Sequence, residues 1–212
     1  MVKGKIKLDD VVIKEGNYMV PNNWVWVKIG VVIELAYGKS LPSKIRIPGN
    51  FDVYGANGIV GNHVEYLVEG PKIIVGRKGS IGAINWAEGN IWPIDTTYYV
   101  ISKGINYKYI YYYLKNMNLV ELNKATAIPG LNRNDVYDKL IPIPPLKEQT
   151  RIVSKIEGFF EKLDRVDELV QIGEQIELIK KSILAKAFRG QLGTNCEEDE
   201  SATELLKEIL NK

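Results

Sequence analysis

The sequence holds one cysteine, Cys196, and one histidine, His63, in 212 residues. A lone thiol excludes an internal disulfide framework, and with a single imidazole it excludes the Cys/His spacings of structural zinc. No uninterrupted apolar run approaches the roughly 18 residues that span a bilayer. The opening residues MVKGKIKLDD lack the apolar core of a secretory signal. A cytoplasmic protein with no membrane partner is the expectation. Catalytic signatures are also missing: there is no G-x-S-x-G elbow, no H-E-x-x-H pair and no Walker lysine in its proper context. Asp52, Asp95 and Asp135 stand apart without a paired spacing, and His63 beside Asn62 reads as a turn or surface residue. The chain by itself is expected to be no enzyme and to hold no metal.

What is present divides the chain. Residues 1–145 carry 17 basic and 12 acidic side chains, residues 146–190 carry 9 and 8, and residues 191–212 carry 2 and 6. All 12 tyrosines and all 4 tryptophans precede residue 146, after which Ile, Leu, Glu and Lys dominate. The break is marked by Ile141-Pro142-Ile143-Pro144-Pro145, whose prolines cannot donate ladder hydrogen bonds and which reads as an extended, stiff connector. The fold class that follows is α+β. A compact mixed domain occupies 1–145, one long coiled-coil α-helix occupies 146–190, and an acidic tail over 191–212 carries a short amphipathic helix.

Before the break, short apolar runs punctuated by glycine predict strands over Val25–Leu35, Tyr66–Val68, Lys72–Val75, Ile81–Trp86 and Thr97–Ile101, with a helix over Tyr107–Met117. After it, Leu146 to Phe188 contains no proline, and Gly190 is placed to stop a helix. A rod of that length would measure roughly 64 Å. Ile152, Ile156, Phe159, Leu163, Val166 and Val170 recur at alternating steps of four and three, the heptad spacing that keeps a narrow seam toward a partner helix. Around Gly173 the pattern resumes out of phase as Leu169, Ile172, Ile176, Ile179 and Ile183, a stammer at which the rod bends or overwinds. The seam predicts one arm of a two-helix coiled coil, with the partner strand from a second copy or another protein. The alternative is a long helix packed on the first domain. In the tail, Ser201-Ala202-Thr203-Glu204 has the form of a capping box.

A basic first domain attracts polyanions, and Arg, Lys, Asn and Tyr on loops are residue types that reach base and phosphate edges. The same composition suits proteins that bind sugars or other proteins. Gly76-Arg77-Lys78-Gly79-Ser80-Ile81-Gly82 reads either as a tight strand-to-strand turn or as a loop whose amides and charges approach phosphates.

Several stretches resemble one family, the specificity subunits of type I restriction-modification systems. They are Pro21 to Gly30, Tyr54-Gly55-Ala56-Asn57-Gly58-Ile59-Val60-Gly61, the glycine loop 76–82, Trp92-Pro93-Ile94-Asp95-Thr96 and Ala127-Ile128-Pro129-Gly130-Leu131-Asn132. The strongest is Ile141 to Gln149 followed by Arg151-Ile152-Val153, which is similar to the start of the family's spacer helix; Ser182 to Leu192 resembles its end. Family members carry two recognition domains and two spacer helices, so this chain resembles a half-length form with one of each. The resemblance implies that 1–145 is a target-recognition domain reading half of a bipartite double-stranded DNA target, and that a homodimer forms along the helix. It also implies modification subunits that methylate adenine with S-adenosylmethionine, and a restriction subunit that uses ATP and magnesium. No cofactor is expected in this chain. The DNA-contacting candidates are Lys39, Lys44, Arg46, Tyr54, Asn57, Arg77, Lys78, Ser80, Asn132 and Arg133, with a solvated loop residue as the alternative for each or, for Tyr54 and Asn132, a local structural bond. A scaffold whose tyrosine-rich domain binds protein is the competing reading.

Overall fold

The computed structural model describes residues 11–122, 130–170, 173–196 and 198–211, without the side chains of 167–170, 173 and 174. In chain order its strands are β1 (Val12–Ile13), β2 (Val25–Lys28), β3 (Ile33–Tyr37), β4 (Phe51–Gly55), β5 (Gly58–His63), β6 (Lys72–Gly76), β7 (Ile84–Ala87), β8 (Ile91–Pro93), β9 (Thr97–Ser102) and β10 (Leu140–Ile143). Its α-helices are α1 (Ile29–Val32), α2 (Tyr107–Asn116), α3 (Arg133–Tyr137), α4 (Leu146–Val170), α5 (Gly173–Ala187) and α6 (Ala202–Leu210). The architecture is α+β, as the sequence predicts. The chain forms two compact units, one from the described residues of 1–31, 104–116 and 140–212, the other from 32–103 and 117–139.

The first unit is built on a three-stranded antiparallel sheet in the order β1-β2-β10. The proline-rich stretch, expected to be a connector, is the edge strand of that sheet, with Pro142 opposite Trp26. An edge strand tolerates the missing amide because only one of its sides is paired. Helix α2 begins at Asn106, whose Oδ1 accepts from the Lys108 and Tyr109 amides. Its Tyr109 and Tyr113, one turn apart, donate hydroxyl hydrogens to the carbonyls of Pro142 and Leu140, both at 2.6 Å. The Phe188 ring stands edge-on to both phenols, at 5.3 and 4.9 Å between centroids.

A long helix follows the prolines, but it ends sooner than the pattern predicts. Helix α4 closes at Val170, and α5 returns alongside it: the Lys180 ammonium lies 2.7 Å from Asp164 and 5.6 Å from the Phe160 ring centroid. In a continuous helix those sixteen residues would be about 24 Å apart. Each arm buries its own stripe: Ile152, Val153 and Ile156 on α4, and Ile176, Leu184 and Ala187 on α5. The chain thus supplies a second arm that the sequence pattern assigns to a second copy or another protein. Of the remaining seam, Leu163 and Ile183 are half-buried, while Phe159, Val166 and Ile179 are 39%, 41% and 45% exposed. Ile172 and the side chains of Leu169 and Val170 lie outside the described residues.

Glu148, in the first turn of α4, is wholly buried. Its Oε2 accepts from Trp24 Nε1 at 3.0 Å and Asn195 Nδ2 at 3.2 Å, and its Oε1 accepts from the Thr194 hydroxyl at 3.3 Å. Arg151, one turn on, donates to the Thr194 carbonyl and pairs with Asp199. The tail then forms α6 with Ser201 as its N-cap, accepting from the Thr203 amide, and buries Ala202, Leu206 and Ile209 within this unit. Among the described residues no helix is long and apolar enough to cross a membrane.

The second unit holds two sheets, a four-stranded one in the order β3-β9-β6-β7 and a three-stranded one in the order β5-β4-β8. Strand β6 is central and covered on both faces, so Ile73, Ile74 and Val75 are all buried and its sequence shows no alternation. Strand β3 alternates, with Ile33 and Leu35 buried and Glu34 exposed. The run predicted as one strand over Val25–Leu35 is interrupted by the single turn of α1, and Tyr66–Val68 forms only one bridge, Val68 to Ile91. His63 is a correction: it is buried in β5, its Nδ1 accepts from the Ile47 amide at 3.0 Å, and its ring stands edge-on to Trp92.

Burial raises four phenols of the first unit above the usual value, Tyr18 to about 12 and Tyr109, Tyr112 and Tyr113 in the same direction. A phenol whose folded value exceeds its unfolded value of about 10 stabilises the fold fully below pH 10 and progressively less above it. Thermal unfolding should therefore hold a constant midpoint from pH 7 to 9.5 and fall by more than about 5 °C by pH 11; a midpoint that stays level would contradict the buried placement.

Candidate nucleic-acid interface

All ten candidate residues lie in the second unit, and its strands bring several of their loops to one edge. The glycine loop joins β6 to β7. It turns tightly because Gly82 adopts a φ of +74° and Gly76 passes so close to Ser80 that a Cβ there would lie 2.0 Å from the Ser80 carbonyl oxygen. That same Cβ would stand 3.0 Å from the Ala56 carbonyl, so the β4–β5 hairpin tip is a direct neighbour of the loop. Asn57 is exposed on this tip, as are Lys78 and Ser80 on the loop.

Arg77 is the best-anchored member. Its amide donates to the Thr96 carbonyl at 2.9 Å, its Nη1 donates to the Asp95 carbonyl at 2.8 Å, and its own carbonyl accepts from the Leu131 amide at 2.9 Å. The last bond draws in the segment carrying Asn132 and Arg133. Both guanidiniums lie over one ring, with Arg77 Cζ 5.0 Å and Arg133 Cζ 5.3 Å from the centroid of Tyr37. Tyr37 packs in turn on Tyr98 at 5.0 Å, and the Tyr98 hydroxyl donates to the Leu131 carbonyl at 3.0 Å. Burial raises the Tyr98 phenol above its usual value, the Tyr37 hydroxyl adds to the rise, and the Arg77 charge opposes it. Tyr98 therefore stays a hydrogen-bond donor at neutral pH.

The other candidates are placed differently. Lys39 is exposed, with its ammonium 5.9 Å from the Trp92 ring centroid, while its carbonyl accepts from Trp92 Nε1 and its amide donates to Pro93. It thereby flanks the same 93–97 segment that anchors Arg77. Lys44 is exposed on a 3-10 turn over Ser43–Ile45. Arg46 is tied to β5, donating from Nη1 to the Val60 carbonyl at 2.7 Å and from Nε to Leu41 at 3.0 Å. Tyr54 is buried in β4 with its hydroxyl 3.5 Å from the Trp86 carbonyl; burial raises its phenol first, and Asp52 and Glu88 add to the rise. Asn132 caps α3, its Oδ1 accepting from the Asn134 amide at 2.9 Å. Ala127 to Pro129 lie outside the described residues.

Sequence reasoning missed Tyr37 and Tyr98, which sit on neighbouring strands directly opposite each other in the β3–β9 register. The available signal was a tyrosine ending an alternating run immediately before Gly38, but its two arginine neighbours are 40 and 96 positions away. Because Asn132 is a cap, Asn132→Ala should lower the stability of the second unit by about 1 kcal/mol in urea unfolding, and Asn132→Asp, which keeps the acceptor, should retain most of it. Equal losses for both variants would remove the capping role.

With that geometry in view, the comparisons with known proteins are specific. A family model for the type I restriction modification DNA specificity domain matches residues 21–178. A protein described as a type I restriction enzyme specificity subunit of Haemophilus influenzae is 32% identical over 125 residues, covering 57% of this chain and 32% of the relative. The EcoDI type I restriction enzyme specificity subunit of Escherichia coli is 24% identical over 199 residues, covering 82% of this chain and 43% of the relative. The crystal structure of the HsdS subunit from Thermoanaerobacter tengcongensis superposes with a TM-score of 0.59 at 23% identity, covering 87% of this chain and 49% of that one. The chain spans less than half the length of each of these relatives.

Proposed function

The chain belongs to the family of type I restriction-modification DNA specificity subunits, and from that membership we propose that its second unit reads one half of a bipartite double-stranded DNA target. The observation that carries the reading is the family match over residues 21–178, a span that includes all ten candidate residues and the Arg77–Tyr37–Arg133 cluster. Division of labour follows: this chain selects the site, and chemistry belongs to its partners. Modification subunits would bind S-adenosylmethionine and methylate adenine, and a restriction subunit would use ATP and magnesium for cleavage. The complex would work in the cytoplasm, where chromosomal and invading DNA are both accessible.

Binding to DNA should fall steeply with salt, because each phosphate neutralised releases counterions. One duplex sequence should also be preferred over random duplex. Arg77→Glu combined with Lys78→Glu should weaken binding at least tenfold in fluorescence anisotropy. The second reading, a protein-binding scaffold, is favoured by the exposed aliphatic side chains Ile45, Ile47, Ile59, Val60 and Val64, which the Arg46 and His63 hydrogen bonds hold side by side. It gains if the double variant leaves DNA binding unchanged and abolishes association with the modification subunits.

We further propose that two copies associate along the helices to align two recognition units. Phe159, Val166 and Ile179, which the α4–α5 pair leaves exposed, support this. Replacing Phe159 and Val166 with Glu should then convert a dimer into a monomer in sedimentation velocity, since carboxylates in an apolar seam are costly to bury. A dimer unaffected by both changes would place the interface elsewhere.

A further inference from the structure

Two positive charges that share one aromatic ring, without an acidic counterpart, form an arrangement that the fold alone does not require. Among the described residues neither Arg77 nor Arg133 forms an ion pair with a carboxylate, and Tyr37, the ring they share, is 51% exposed. Like charges held within reach of a common ring repel each other, and a third, negative group placed between them relieves that repulsion. We propose that Tyr37, Arg77 and Arg133 together clamp a backbone phosphate of bound DNA, and that base identity is read elsewhere, by the exposed side chains at the loop tips. The inference rests on the DNA-recognition reading and assigns roles within it.

The geometry argues for phosphate over base edge. Reading a guanine takes a guanidinium that extends into the groove and offers two parallel donors. Arg77 has one terminal nitrogen committed to the Asp95 carbonyl, and its Cζ lies 5.0 Å from the Tyr37 ring centroid and 5.9 Å from that of Tyr98. Its backbone is bonded on both sides, to Thr96 and to Leu131. A side chain tethered in this way has fewer free donors and less reach with which to follow a base edge. A phosphate needs no such reach, and its register on the protein is best set by rigid donors. Arg133 is fixed by the same ring and by the helix that Asn132 caps. Asn57, Lys78 and Ser80, by contrast, are exposed on the hairpin tip and the glycine loop. Tyr37 is the positioning residue: its ring sets where both guanidiniums lie.

The test uses the full-length chain and two probes, a 40-base-pair duplex carrying the sequence that the wild-type chain enriches from a random duplex library and a random 40-base-pair duplex. For Arg133→Gln, Arg77→Gln and Tyr37→Leu, affinity for both probes should fall by the same factor, roughly tenfold. The slope of log affinity against log salt should shrink by about 0.9 for each arginine removed. The sequence that each variant enriches from the library should match that of the wild type. Tyr37→Phe keeps the ring and should lose no more than about threefold, so the proposal remains testable if the leucine variant does not fold. Altered base preference at any position, or an unchanged affinity and salt slope, would overturn the clamp while leaving DNA recognition intact. A wild-type chain that enriches no sequence and binds neither probe would overturn the recognition reading and the clamp with it.

Discussion

The carboxylate of Glu148 is withdrawn from water, and the first unit is arranged around its needs. An ion of that size costs several kcal/mol to bury unless donors replace its hydration. Those donors come from places far apart in the chain, the indole of Trp24 and the side chains of Thr194 and Asn195, while the carboxylate sits in the first turn of α4 where the helix dipole favours negative charge. Removing any one of them exposes the ion to an incomplete shell. The residue before strand β2, the start of α4 and the segment after α5 are therefore tied together through one carboxylate. Gln149 extends the arrangement by accepting from the Asn106 amide and donating to the Pro144 carbonyl, which ties in the start of α2.

Elements whose cause is local were readable from the sequence. The apolar run of β6, the tyrosine-rich α2 and the Ser201 cap of α6 each follow from residues within one turn or one strand. Elements decided by distant partners were not. The 141–145 stretch has the composition of a connector, and only the pairing of Ile141, Pro142 and Ile143 with β2 makes that part of it a strand. The heptad steps of α4 describe a real apolar stripe, yet a stripe states that a partner exists without stating which one. The stripe is met in part by α2 and α5 of the same unit, which the Lys180–Asp164 pair and the Tyr112–Glu157 bond record.

The candidate interface shows the same division. Glycines at 76, 79 and 82 announced a tight loop, and Arg77 and Lys78 announced its charge. The convergence on Tyr37 depends on the register of β3 against β9, on the bond from Leu131 to Arg77 and on the cap at Asn132, none of which a local pattern contains. Tyr54 and Asn132 carry local structural bonds, the alternative role that a buried strand position and a helix start make natural.

One further bond bears on how such a protein can change. The Lys103 amide donates to the Val32 carbonyl at 2.9 Å, and Ile33 stands opposite Ser102, so the stretch from 32 to 103 begins and ends at the same point of the backbone. Everything between can vary in length and composition without altering the distance its two ends must span. The backbone bond thus fixes the ends of the stretch whatever lies between them, while the Leu131–Arg77, Tyr98–Leu131 and Leu35–Tyr137 bonds stitch its interior to 117–139, so the two stretches fold as one body.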